Sequence, residues 1–534
     1  MKRAMPHDAH LLHDLPLHAA ARTPDAAALV AGNERLSYAQ LAESIDRFAR
    51  ALAALQIGRG ERVGIWLDKR IETVVASFGA PANGAAFVPI NPLLKPQQVQ
   101  YILRDCGVRV LVTSPERLGS VQSLLNDCPE LRHVIVTGDV PSHSGQATFS
   151  VHRWSDVLGA EGRTASQRAI DNDIVAILYT SGSTGRPKGV VLSHRNMVVG
   201  AKSVASYLAN EPADVLLAAL PLSFDAGFSQ LTTAFHAGAS VVLLNYLLPK
   251  DVVKAVVAHG VTGLTAVPPL WIQLTQATWP AGAGDTLRYF ANTGGRMPLE
   301  TLTRLRTILP HAKPYLMYGL TEAFRATYLP PSEVDARPDS IGRAIPNTEI
   351  LVLREDGTPC APNEPGELVQ RGALVAQGYW NDPEKTAERF RPLPGRESGL
   401  VLPEIAVFSG DTVRRDEDGF LYFIGRRDEM IKSSGYRISP SEVEEVLYGT
   451  QLIGECAVFG VPHASLGEAV AAVVTPMQGA GAPDIDRLTA LCRERLPAYM
   501  LPSQIVVHEG PLPRNSNGKI DRKALRAEFV PVQA

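Results

Sequence analysis

Short apolar runs rich in β-branched residues alternate along the chain with segments whose apolar positions recur at helical spacing. Arg62–Leu67 reads as a strand, Ile71–Phe78 as a helix, Val108–Val112 as a strand and Glu116–Leu125 as a helix. The order returns at Ser240–Leu244, Pro249–His259 and Gly263–Val267. Such alternation predicts βαβ units and an α/β fold with largely parallel wound sheets. Between Ala344 and Gly425 the texture changes to Gly, Pro and short strands such as Glu349–Leu353 and Gly366–Gln370, which predicts a small antiparallel, β-barrel-like part. After the charged run 425–429 the pattern restarts, with strand character in Ile431–Arg437, a helix over Pro440–Leu447 and strands at Cys456–Phe459 and Val470–Val474. The expected division is a large N-terminal domain over 1–424 and a small α+β C-terminal domain over 425–534.

Composition narrows the function. The 534 residues are 45% hydrophobic and 20% charged, as in an ordinary globular chain. With 52 basic against 55 acidic residues the net charge is −3, so no nucleic-acid partner is expected. The five cysteines are widely separated and never in a C-x-x-C arrangement, which argues against zinc and a disulfide framework and for small buried apolar residues. Neither a signal peptide nor an integral membrane segment is expected, because no apolar run approaches the roughly 18 residues of a span. A cytoplasmic protein is the expectation.

The segment carrying most chemistry is Thr180-Ser-Gly-Ser-Thr-Gly-Arg-Pro-Lys-Gly189, set between the strand-like runs Ile174–Tyr179 and Val190–Leu192. Gly182 and Gly185 let backbone N–H groups converge on oxyanions, while Thr180, Ser181, Ser183 and Thr184 add hydroxyl donors and Lys188 adds charge. The loop suits a polyphosphate. It does not satisfy the Walker A spacing, and it leads into a strand.

This loop resembles the phosphate loop of the adenylate-forming superfamily, which contains acyl-CoA synthetases, peptide-synthetase adenylation domains and firefly luciferase. Further resemblances follow in order along nearly the whole chain. Tyr318-Gly319-Leu-Thr321-Glu322 is similar to the second nucleotide motif, which implies Thr321 on a phosphate, Glu322 holding Mg²⁺ and Tyr318 against adenine. Gly294 and Gly295 resemble the strand end beside the adenine ring. Asp411 in Ser-Gly-Asp resembles the ribose-binding carboxylate, and Arg426 the arginine that reaches ribose and phosphates. Lys519, within Pro513-Arg-Asn-Ser-Asn-Gly-Lys-Ile-Asp521, resembles the adenylation lysine. The resemblance implies a C-terminal domain that pivots about Asp428 and then presents Lys432 and Gly435 to a pantetheine arm, although Gly435 also reads as a plain turn glycine. Arg493, Arg495, Arg522, Lys523 and Arg526 are candidates for CoA phosphates or simply a solvated face.

The implied chemistry is ATP-dependent conversion of a carboxylic acid into an acyl-adenylate with loss of pyrophosphate, then transfer to the thiol of CoA. Cofactors are ATP, Mg²⁺ and CoA, or the phosphopantetheine of a carrier protein acting in trans. Lys519, Glu322 and Thr321 would be catalytic, because a crowded anionic transition state needs cationic stabilisation. Phe224, Asp225, Val267 and Pro268 are the candidate acyl-pocket residues. Asp225 has two readings: a carboxylate for a substrate ammonium group, which favours an amino-acid adenylation enzyme loading a carrier protein, or a hydrogen bond to a neighbouring loop. If buried it needs a partner. Phe224–Phe228, Leu316–Arg325 and the unusual stretch 391–404 resemble the exosortase A-associated AMP-forming ligases. A regulatory relative that binds nucleotide without catalysis is disfavoured by the joint presence of Glu322, Asp411 and Lys519.

Overall fold

Helices begin and end where side chains satisfy free backbone groups. Ser37 caps Tyr38–Ala54 and Ser193 caps His194–Leu208, each accepting from the backbone N–H three residues on. Gly260 closes Pro249–His259 in the left-handed region at φ 58°. A computed structural model describes residues 8–140, 148–159, 168–180, 187–394, 403–427, 429–433, 436–463, 466–515 and 518–529.

Four sheets form. A seven-stranded sheet has the order 150–153, 133–136, 108–113, 62–66, 86–89, 174–180, 188–193, parallel except for its last pair. A nine-stranded sheet runs 343–344, 327–329, 313–318, 289–292, 263–266, 215–218, 240–243, 27–31, 34–37, with a parallel centre and antiparallel edges. The parallel sheets read from the alternating pattern are therefore two. The third is a five-stranded antiparallel sheet in which Ile405–Arg415 pairs with strands 366–372, 390–392 and 421–426. The fourth gathers 431–433, 436–438, 456–463, 467–474 and 504–507.

The main core lies between the two parallel sheets. Helix Asp225–Ala237 is buried along its length from Asp225 to Phe235. On one side it packs on the nine-stranded sheet, where Gln230 donates to the Leu217 carbonyl at 3.2 Å. On the other, Phe228 stacks 4.8 Å from Phe87 of the seven-stranded sheet and 5.6 Å from Phe78. Burying each such aromatic is worth about 1.5–3 kcal/mol, which clamps the helix and with it Asp225. A Cβ at Gly227 would stand 1.8 Å from the Pro221 carbonyl oxygen, so only glycine lets the first turn fold against its own entry loop. All five cysteines are buried and free. No helix of the described residues is long and apolar enough to cross a membrane.

Candidate active site

Strand 215–218 has its sequence neighbours 240–243 and 263–266 on opposite sides, so a crevice opens at the carboxyl ends of this part of the sheet. The candidate residues emerge there. Strand 215–218 leads to Phe224 and Asp225, 263–266 to Val267 and Pro268, 289–292 to Gly294 and Gly295, and 313–318 to Gly319, Thr321 and Glu322. These loops touch. A Cβ at Gly294, held at φ 76°, would meet Val267 Cγ1 at 3.1 Å and Lys519 Cε at 3.2 Å, and one at Gly295 would meet Pro268 Cγ at 3.1 Å.

Lys519 reaches this crevice from the C-terminal sheet's flank. Its hairpin closes by Asn515 N–H donating to the Lys519 carbonyl at 2.8 Å, with Gly518 at φ 78°. The ammonium lies 5.8 Å from the Phe224 ring centre. Burial pushes its pKa down, opposed by the carboxylates of Asp225 and Asp411. The C-terminal part is docked nearby, where Glu445 accepts from Leu299 N–H at 2.9 Å and Gln451 donates to Glu300 at 2.6 Å.

Across the crevice, Tyr318 donates a short hydrogen bond to Asp411. Asp411 faces Arg426 directly in the antiparallel ladder, with Oδ1 at 3.7 Å from Nη1. Burial raises the Asp411 pKa against the opposing pull of Arg426 and Tyr318. Glu322 accepts from Tyr379 Oη at 2.6 Å, and Lys188 lies 5.3 Å from the centre of the same ring. Thr180 pairs with Lys188 in the antiparallel strands on either side of residues 181–186. Desolvation lowers the Lys188 pKa. Thr321 is buried at the start of a 3₁₀ turn.

Asp225 is 4% exposed and has a partner that the sequence does not disclose: Arg325 Nη1 lies 3.7 Å from its Oδ2. Arg325 itself is 2% exposed. It follows an unusual bend. Phe324 adopts φ 56°, ψ −48°, and Arg325 N–H donates to the Ala323 carbonyl at 2.5 Å, which makes a strained γ-turn. The bend is held because Gly200 leaves room for the Phe324 ring, where a Cβ would come within 2.4 Å. Lys69 is a second residue without a sequence signal. Its ammonium is enclosed and donates to the Ala219 carbonyl at 2.7 Å, and burial moves its pKa down to about 7. An apolar run ending in Lys69 gives no hint that it tethers a loop of the other sheet.

Ser181, Gly182, Ser183, Thr184, Gly185, Asp428 and Gly435 lie outside the described residues. Lys432 is exposed on its strand, with its backbone N–H on Glu468 at 2.8 Å. Arg522 is half-buried and already paired. It grips both Glu444 oxygens at 2.7 Å and faces Glu429 at 3.5 Å. Arg526 pairs with Glu468 at 2.9 Å. No group of three metal-ligating side chains occurs among the described residues. The single carboxylate of Glu322 nevertheless fits Mg²⁺, which takes one or two carboxylates together with phosphate oxygens.

The AMP-binding enzyme profile matches residues 17–380, and that of the AMP-binding enzyme C-terminal domain matches 442–519. The L-proline--[L-prolyl-carrier protein] ligase of Pseudomonas fluorescens is 29% identical over 96% of this chain and 98% of its own. A long-chain-fatty-acid--CoA ligase of Bacillus subtilis is 28% identical over 97% and 96%. Two linear gramicidin synthase polypeptides of Brevibacillus parabrevis are each 30% identical over 95% of this chain, but this chain spans only 9% of one and 6% of the other. Among solved structures, an anthranilate CoA ligase in complex with anthranoyl-AMP shares 25% identity with a TM-score of 0.87 over 98% of both chains. A benzoate CoA ligase from Burkholderia xenovorans LB400 shares 26%, with a TM-score of 0.84 over 97% and 99%. The crevice at the strand ends, the lysine delivered into it by the last sheet and the match of both profiles lead to one conclusion: the chain belongs to the AMP-binding, adenylate-forming enzyme family.

Proposed function

We propose that the protein is an AMP-forming acid–thiol ligase of the acyl-CoA synthetase type. The observation that carries this reading is the Lys519 ammonium standing beside Phe224, Asp225 and Gly294, where acid and nucleotide would meet. A carboxylate is a poor electrophile until its oxygen becomes a good leaving group. Lys519, a point charge on a flexible stem, would bridge the incoming carboxylate and the α-phosphate. Asp411 would accept the ribose hydroxyls, with Arg426 keeping it charged, and Tyr318 would lie along the base. Thr180, Lys188, Thr321 and the loop 181–185 would hold the phosphates. Glu322 would hold Mg²⁺, which supplies charge neutralisation on the phosphate oxygens.

The second half-reaction needs the adenylate opened to a thiol. A pivot of the C-terminal domain, 425–534, about Asp428 would withdraw Lys519 and bring Lys432 and Gly435 toward the pantetheine arm. CoA is the acceptor in the leading reading, and a carrier protein in trans is the alternative. The stretches Phe224–Phe228, Leu316–Arg325 and 391–404 support a place among the exosortase A-associated ligases. Dependence on ATP and CoA suits a cytoplasmic site of action.

The test is incubation with Mg-ATP, CoA and a mixed panel of fatty, aromatic, hydroxy and amino acids, with thioesters read by mass spectrometry. A new acyl-CoA together with AMP and pyrophosphate is the expected result. Adenylate without any CoA product would transfer the acceptor role to a carrier protein, and ATP binding without AMP formation would overturn the reading.

A further inference from the structure

We infer that the acid is a short hydroxy acid, whose hydroxyl accepts from the Arg325 guanidinium and donates to the Asp225 carboxylate. The inference rests on the acid-activating reading above. Its basis is the state of the buried pair. Arg325 offers five N–H donors. In the structure Nη1 has only long approaches, 3.7 Å to Asp225 Oδ2 and 3.5 Å to Thr293 Oγ1, and Nε is buried with no partner. Asp225 Oδ1 is likewise buried and unpartnered. An unused donor and an unused acceptor on adjacent buried groups describe the complement of a hydroxyl.

The surroundings exclude the other classes. An α-ammonium group would need Asp225 for itself, yet Arg325 shares that carboxylate and Lys519 stands near it, so a third cation would crowd two. A second substrate carboxylate would be pressed against Asp225. A long alkyl chain finds no room beside Arg325, where the cavity it lines is ≈ 20 Å³, space for about one water-sized group. Its lining mixes Leu216 and Met317 with Ser229, Gln230, Thr233 and Thr265, and Gln230 Oε1 is another buried acceptor without a partner. The far end of the acid is therefore small and polar. Because the Phe324 bend fixes where Arg325 starts, the donor is positioned before the acid arrives.

The experiment measures pyrophosphate release and hydroxylamine-trapped acyl-adenylate, which read activation whatever the thiol acceptor. The acids are two matched series, lactate with propionate and alanine, and β-hydroxybutyrate with butyrate and β-aminobutyrate, plus succinate and octanoate. The expected result is that kcat/KM for the hydroxy acid of at least one series exceeds those of its deoxy and amino partners by about 10- to 100-fold, the scale of a charge-assisted hydrogen bond. Arg325→Met should bring the hydroxy and deoxy acids level. Arg325→Lys, which keeps the charge but not the fork, should lose most of the preference, and retained ATP binding certifies that both variants are folded. Preference for propionate, alanine, succinate or octanoate, or a hydroxyl preference that survives Arg325→Met, overturns the inference and leaves the ligase reading intact. Trapped adenylate from no acid, despite ATP binding, overturns the ligase reading and the inference with it.

Discussion

On the flank of Tyr318, Asp411 and Arg426, an aspartate sits on a strand directly opposite its arginine and takes a short hydrogen bond from a tyrosine. On the flank of Asp225 and Arg325, an aspartate sits in the first turn of a buried helix and its arginine comes from a γ-turn; each aspartate keeps a buried Oδ1 without a hydrogen bond, but here the buried arginine Nε lacks one as well. In the proposed reading the first arrangement is preorganised for a ligand that never changes, the nucleotide. In that reading the second leaves a donor as well as an acceptor for the acid to complete, and unmet buried groups are a strong means of rejecting acids that lack the right one. Selectivity is thus assigned, under this proposal, to the helix and the bend, and reactivity to Lys519, which stands between the flanks.

The largest effect should come from removing the group common to both flanks. Lys519→Ala is expected to slow adenylation by on the order of 10²- to 10³-fold while sparing thioester formation from preformed adenylate, measured by single-turnover kinetics of each half-reaction. Equal losses in both would refute the assigned division of labour. Asp411→Asn should raise the KM for ATP by roughly 10-fold and leave the ranking of acids unchanged. A changed ranking would mean that the flanks are coupled.

Gly227→Ala should do the reverse. Its Cβ meets the Pro221 carbonyl, so overpacking of about 1–3 kcal/mol lowers the melting temperature and raises the KM for the acid, with little change for ATP. A separate effect concerns Lys69. Its folded pKa of about 7 lies below the ordinary lysine value of 10.5, so between those limits the unfolded chain holds a proton that the folded chain has lost. Stability therefore rises with pH across that window. Lys69→Met should flatten the rise, as read by urea unfolding at about pH 6 and pH 9; an unchanged slope would show that the ammonium is not enclosed.

Much of this is legible in the sequence. The helix read over Pro249–His259 has those bounds in the structure, and the strand read at Arg62–Leu67 runs Arg62–Trp66, because apolar periodicity and Pro or Gly punctuation are local signals. The motif residues Gly294, Tyr318, Asp411 and Lys519 gather around one crevice. What cannot be read is what depends on pairing across the fold. Nothing local divides the parallel strands between two sheets, brings Arg325 to Asp225 across 100 positions, or places the Lys69 ammonium under Ala219. Even Gly227 reads as a weak helix position until the Pro221 carbonyl is seen beside it.

The bend at Phe324 has a consequence for descent. Its geometry is secured from beneath by the fit of the Phe324 ring over Gly200, not by the side chain that follows. The next position can therefore be exchanged without disturbing the turn, provided that the buried Asp225 gains another partner. A lineage built on this scaffold can change its diet while its engine stays the same.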